Sequence, residues 1–147
     1  MLNDLWKNVI ILSEVLNKKA EDAHLNAKGV EFYSIHEAMV KIQDGLGDDD
    51  MALSDIADSA QELYFGGRGL AFVSSNEIAE GVVKELPKQT NNVKDLIKQV
   101  RDVLDALLDV LYEILNDKET SLGENDFCAS LSKELQHRRY FLNAIIG

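Results

Sequence analysis

Residues 24–37 read His24-Leu25-Asn26-Ala27-Lys28-Gly29-Val30-Glu31-Phe32-Tyr33-Ser34-Ile35-His36-Glu37, and the fold turns on how this stretch is parsed. Upstream of it, Leu5, Val9, Leu12, Leu16, Ala20, Ala23 and Ala27 recur at steps of three and four, which makes one apolar face of a long helix. That helix is predicted to run from about Asn3 to Lys28 and to stop at Gly29, since glycine accepts the left-handed conformation that closes many helices. Downstream, a second helix is predicted from Phe32 or Ser34, carrying Ile35, His36, Met39 and Ile42. It then meets Gly45-Leu46-Gly47-Asp48-Asp49-Asp50. Two glycines and three consecutive acids are costly inside a helix, so the second helix is expected to break there. It resumes over Met51–Phe65 and ends at Gly66-Gly67.

The remainder supplies two more long helices. Arg68–Asn92 reads as a connector with a short helix near Asn76–Lys84, which Pro87 terminates because proline cannot continue the hydrogen-bond ladder. Val93, Leu96, Val100, Val103, Leu107, Val110 or Leu111, and Ile114 form a heptad-like stripe, with Asn91 or Asn92 as its N-cap. Lys118–Gly123 is the following turn, and the last helix spans about Asn125–Ile145 with Phe127, Leu131, Leu135, Leu142 and Ile145 inward. A long helix, a broken one, a mid-chain crossover and a second long pair make an all-α, ferritin-like four-helix bundle with one long crossover. Residues 1–147 are expected to form a single domain.

Composition narrows the function classes. A chain of 147 residues, 46% hydrophobic and 28% charged, has the balance of a globular domain able to bury its own core. Its apolar runs, such as Val9-Ile10-Ile11-Leu12, fall well short of the ~20 residues that cross a bilayer, so no membrane partner is expected. The opening Met1-Leu2-Asn3-Asp4-Leu5-Trp6-Lys7 lacks the basic segment of a secretion signal. The lone Cys128 can form no internal disulfide, and a reducing cytoplasm is the expected home. The net charge of −11 opposes direct binding to DNA, which carries a negative charge per ~1.7 Å of duplex. Gly66-Gly67-Arg68-Gly69 lacks the strand and spacing of a nucleotide loop. Cys128 and His137 stand nine positions apart on one helix and cannot act as nucleophile and base.

The chemistry-bearing pattern lies in residues 24–37. Two histidines stand twelve positions apart, Gly29 follows the first by five, and Phe32-Tyr33 precede the second, which is followed by Glu37. This block resembles the signature of the Dps-like mini-ferritins. The likeness continues more loosely in Asp55-Ile56-Ala57-Asp58, in the glycine pair Gly66-Gly67, and in the closing segment His137-Arg138-Arg139-Tyr140-Phe141-Leu142-Asn143-Ala144.

The resemblance implies a shell of twelve subunits around a ferric mineral, with a diiron site shared between dimer-related subunits. There ferrous iron is oxidised, usually by hydrogen peroxide, so that iron is stored and oxidative damage averted. On that mapping His24 and His36 are metal ligands; imidazole suits ferrous iron and carboxylates suit the ferric product. The acid comes from the second helix, and three alignments assign it differently. Matching Ile56-Ala57 makes it Asp58; a seven-residue insertion makes Asp58 and Glu62 an i, i+4 pair; no gap makes it Asp55. Asp58 survives two of the three and is the preferred ligand, with Glu62 beside it. Taken singly, both acids read as solvated helix-face charges.

Three further features differ from the family pattern: Val40 and Ser54 stand at expected acidic positions, and Leu25 replaces a tryptophan. They support an alternative, a structural oligomer that has lost the diiron site. Asp48-Asp49-Asp50 reads as a solvated loop capping the next helix. Asp117, Glu119, Glu124 and Asp126 lie where the family places acids near ion-entry pores, but read equally as the ordinary acids of an exposed turn. Trp6 and Tyr140 are core or subunit-contact candidates, and His137 is expected to pack at the bundle end.

Overall fold

The computed structural model describes residues 1–147. Helix α1 spans Leu2–Asn26, α2 Phe32–Asp44, α3 Leu53–Ala60, α4 Ser75–Glu85, α5 Val93–Leu115 and α6 Leu122–Ile146. There are no strands. Helices α1, α5, α6 and the α2–α3 pair form the bundle, with α1 packed against α2, α3, α4 and α5, and α5 against α6. The predicted apolar stripes are its core: Val9, Leu16, Ala20 and Ala23 of α1 and Leu96, Val100, Val103, Leu107, Leu111 and Ile114 of α5 are buried. At the position left open between Val110 and Leu111, Leu111 is the buried one. Trp6 is wholly buried, stacked on Tyr64 with 5.2 Å between ring centroids.

The crossover helix α4 lies on α1. Gly81 permits the approach, because a Cβ there would run into the Ile11 side chain, and Lys7 pairs with Glu77 at 3.0 Å. Ser74 caps α4 through the Glu77 N–H, and Asn92 caps α5 through the Asp95 N–H, each satisfying a donor that the helix start leaves free.

The second helix breaks where two glycines and three acids predict, and the break is fastened. Gly45 ends α2 with φ of +107°, a conformation that favours glycine. The Asp50 carboxylate accepts from the Leu46 and Gly47 N–H groups. It thus closes its own loop, whereas the sequence predicts that it caps the next helix; α3 begins without a side-chain cap. Wholly buried Arg138 of α6 donates from Nε to the Ile42 carbonyl at 2.8 Å and from Nη2 to the Met51 carbonyl at 2.6 Å. Glu134, one turn earlier, accepts from the Met51 N–H at 2.7 Å. Burial pushes the Arg138 guanidinium below its ordinary value, against the pull of Asp50, Glu134 and Asp44.

Helix α3 does not run on as an ordinary α-helix to Phe65. Residues Gln61–Gly66 form a wider π-helical turn, a feature that holds one extra residue within a helix. The Gln61 amide then grips the crossover, donating to the Val73 carbonyl and accepting from its N–H at 2.8 and 3.0 Å. Helix α6 begins three residues earlier than the sequence suggests, at Leu122, behind a capping box of Ser121 and Glu124.

Candidate metal centre

His24 lies in the last turn of α1 and His36 in the second turn of α2. Ala27 is extended and Gly29 takes φ of +79°, so the chain reverses through a short 3₁₀ turn over Gly29–Glu31. The reversal lays the two helices against each other and brings the imidazoles face to face, with ring centroids 3.8 Å apart and planes inclined at 32°. Phe32, one turn before His36, also stacks on the His36 ring at 5.0 Å. The aromatic residue at that spacing therefore packs directly on the histidine.

The nitrogens of the two rings are placed differently. Nδ1 of His24 faces the His36 carbonyl oxygen at 3.3 Å. An N–H there donates to the carbonyl and leaves Nε2 with its lone pair free. Nδ1 of His36 is enclosed and has no partner in the chain, an unmet hydrogen-bonding capacity that costs about 1–3 kcal/mol when buried. Imidazole lone pairs lie in the ring plane, so a metal would be taken at the ring edges and not between the stacked faces.

Asp58 and Glu62 are exposed, on α3 and on the π-helical turn respectively. Neither takes part in an ion pair. Within one chain, no group of three or more His, Cys, Asp or Glu side chains is arranged to hold a metal ion. The histidine pair is therefore assembled by the single chain and the carboxylates are not assembled with it. The exposed side chains around the pair include four large apolar ones, Leu25 at 70%, Val30 fully, Phe32 at 44% and Tyr33 at 74% exposed, among the exposed charges of Lys28, Glu31 and Glu37. Val40 is half-buried and Ser54 exposed.

Other sequence expectations resolve clearly. Glu124, grouped with the exposed pore acids, is buried and held by Arg68 in a forked pair at 2.7 and 2.9 Å. Burial would raise its carboxyl, but the bonds from Arg68 and Ser121 outweigh burial and hold it below the ordinary carboxylate value. Arg68 also donates to the Glu119 carbonyl and lies over the Tyr64 ring, so the Gly66–Gly69 segment is clipped to the α5–α6 turn. His137 is exposed and does not pack into the bundle, and Tyr140 is 69% exposed and outside the core. Arg138 was invisible as a structural residue because a basic pair near a C-terminus reads as surface charge. The Ser121-Leu122-Gly123-Glu124 spacing, by contrast, is a capping-box signal that the sequence does carry.

No family model matches the chain. In sequence it is similar to the DNA protection during starvation protein of Helicobacter pylori (strain J99), 28% identical over 127 residues that cover 82% of this chain and 84% of that protein. In fold it is similar to the DPS protein of Vibrio cholerae O1, described as a member of a broad superfamily of ferritin-like diiron-carboxylate proteins. The TM-score is 0.77 at 17% identity, covering 99% of this chain and 89% of that one. A Dps1 mutant from Mycobacterium smegmatis gives 0.74 at 14% identity, over 99% of this chain and 95% of that one. The bundle with its mid-chain crossover is thus the ferritin-like fold, present over essentially the whole chain.

Proposed function

We infer that this chain, a divergent Dps-like mini-ferritin, binds ferrous iron at His24 and His36, oxidises it with hydrogen peroxide as the expected oxidant, and retains the ferric product. The single observation that carries this reading is the stacked histidine pair. The contact of His24 Nδ1 with the His36 carbonyl and the unpartnered Nδ1 of His36 support reading it as a ligand pair. Two imidazoles packed purely for stability would be expected to have their nitrogens satisfied.

Two nitrogens are too few for a diiron centre, which needs bridging carboxylates. The acids would come from a second copy of the chain, seated on the exposed apolar surface of Leu25, Val30, Phe32 and Tyr33. A two-fold pairing gives two equivalent sites, each with histidines from one subunit and Asp58, with Glu62, from the other. Nothing beyond a dimer is needed for the chemistry; a dodecameric shell, by resemblance to the family, would hold the mineral.

In the reaction, His24 and His36 bind and orient ferrous iron as substrate, and the partner's carboxylates stabilise the charge that builds up as it becomes ferric. Removing iron and peroxide together would protect the cell against oxidative damage. The test is anaerobic titration of the purified protein with ferrous iron, then peroxide, beside the His36→Ala variant. Stoichiometric binding and rapid oxidation, both lost in the variant, are expected. Oxidation no faster than a protein-free blank would sink the reading. The second reading, an oligomer without a working centre, is favoured by Val40 and Ser54 at family acid positions, and that blank-level rate is its signature.

A further inference from the structure

On another side of the α1–α2 joint lies a cleft of about 950 Å³ between that joint, the start of α5 and the end of α6. This falls in the range of about 300–1,000 Å³ typical of small-molecule sites. Its floor is apolar, with Ile35 and Ile97 buried and Ile145 and Ile146 half-buried. Its rim carries Lys28, Lys94 and Lys98, all exposed. None of the three is in an ion pair; the chain's pairs are made by Lys7, Lys19, Arg68, Arg101 and Arg139.

Two physical facts make this grouping informative. The chain has 26 acids against 15 lysines and arginines, yet the lining of the cleft holds three lysines with Glu31 as its one acidic side chain; Asp95 and Asp102 border Lys98 on the neighbouring face. Lys94 also sits in the first turn of α5, where the helix dipole disfavours cations, and two like charges one turn apart repel, so both lysines gain from an anion placed between them. Lys94 and Lys98 are one turn apart on one helix face, and Lys28 approaches from the joint.

We propose that this cleft is a binding site for a small organic anion with an apolar tail or ring. The lysines hold a carboxylate, phosphate or sulfonate head, and the isoleucine floor takes the hydrocarbon. The site is separate from the histidine pair and needs no metal.

The probe is 8-anilinonaphthalene-1-sulfonate, titrated by fluorescence into the full-length protein, with octanoate and inorganic phosphate as competitors. Saturable binding is expected, displaced by octanoate at far lower concentration than by phosphate. The variant Lys94→Glu/Lys98→Glu, shown folded by circular dichroism, should bind at least tenfold more weakly. Lys118→Glu/Lys133→Glu makes the same charge change elsewhere and should bind like the parent. Dye bound at the exposed apolar surface around Tyr33 would not depend on Lys94 and Lys98, so equal binding by the first variant and the parent overturns the proposal. Phosphate displacing the dye as well as octanoate overturns it too, since the apolar floor would then play no part.

Discussion

Arg138 donates to the Met51 carbonyl, 87 positions upstream, across the bundle from α6 to the link that rejoins the broken second helix. Its Nε holds the Ile42 carbonyl on the other side of that break, so one buried cation bridges both edges of the break. Arg138→Met would leave both carbonyls without this donor, at about 1–3 kcal/mol for each buried group. A loss of about 2–4 kcal/mol is expected by urea unfolding. A loss below ~0.5 kcal/mol, ordinary for a surface site, would show that the loop does not depend on it.

Glu124 supports a pH prediction. Its folded-state carboxyl lies below the ordinary 4.5, because the bonds from Arg68 and Ser121 outweigh its burial. A depressed acid contributes its full stability above the unfolded value and loses it as pH falls through the folded one. Glu124→Gln should therefore cost about 1–2 kcal/mol near neutrality and much less at low pH. Thermal melts across that range should show the two proteins converging as the medium is acidified; a constant gap would contradict the assignment.

Burial, and then the charge of Glu124 one turn away, push the Cys128 thiol up to about 12. Only the thiolate is a good nucleophile. At pH 8 the native protein should be inert to an aromatic disulfide reagent, and in concentrated guanidinium it should release the equivalent of its one thiol. Rapid reaction of the folded protein would mean that α6 opens at its start.

A shared site can be tested by complementation. His36→Ala and Asp58→Asn chains should each be inactive alone. When they are unfolded together and reassembled, half of the pairs are mixed, and each mixed pair holds one intact site of two. Recovery of about a quarter of parental oxidation is expected. Activity of Asp58→Asn alone would move the carboxylate role to Glu62 or Asp55, whereas no recovery would argue against a site built by two chains.

The periodic parts of the fold were legible. Stripes at steps of three and four located α1 and α5, Gly45–Asp50 located the break, and the histidine spacing located the pair that the structure stacks. What escaped were long-range polar bonds, which leave no periodic trace. Arg138 and Glu124 carry charge and so read as surface, yet both are buried because their partners, Met51 and Arg68, lie far away in sequence. The π-helical turn escaped for another reason: one extra residue in a helix alters no composition, only the angle at which Glu62 and its successors leave the axis. On the proposed reading the acid that joins the histidines comes from a second chain, and the spacing within one chain does not single it out.

The fastened break between α2 and α3 has one more consequence. In an unbroken helix, the number of residues between two side chains fixes the angle between them, at ~100° per residue. Here His36 and Asp58 lie on separate helices joined by an irregular link held at both ends. Residues gained or lost in that link need not rotate either side chain, so the two halves of the second helix are mechanically decoupled in phase. Each half keeps its own bearing, and counting residues across the link says nothing about which way an acid points.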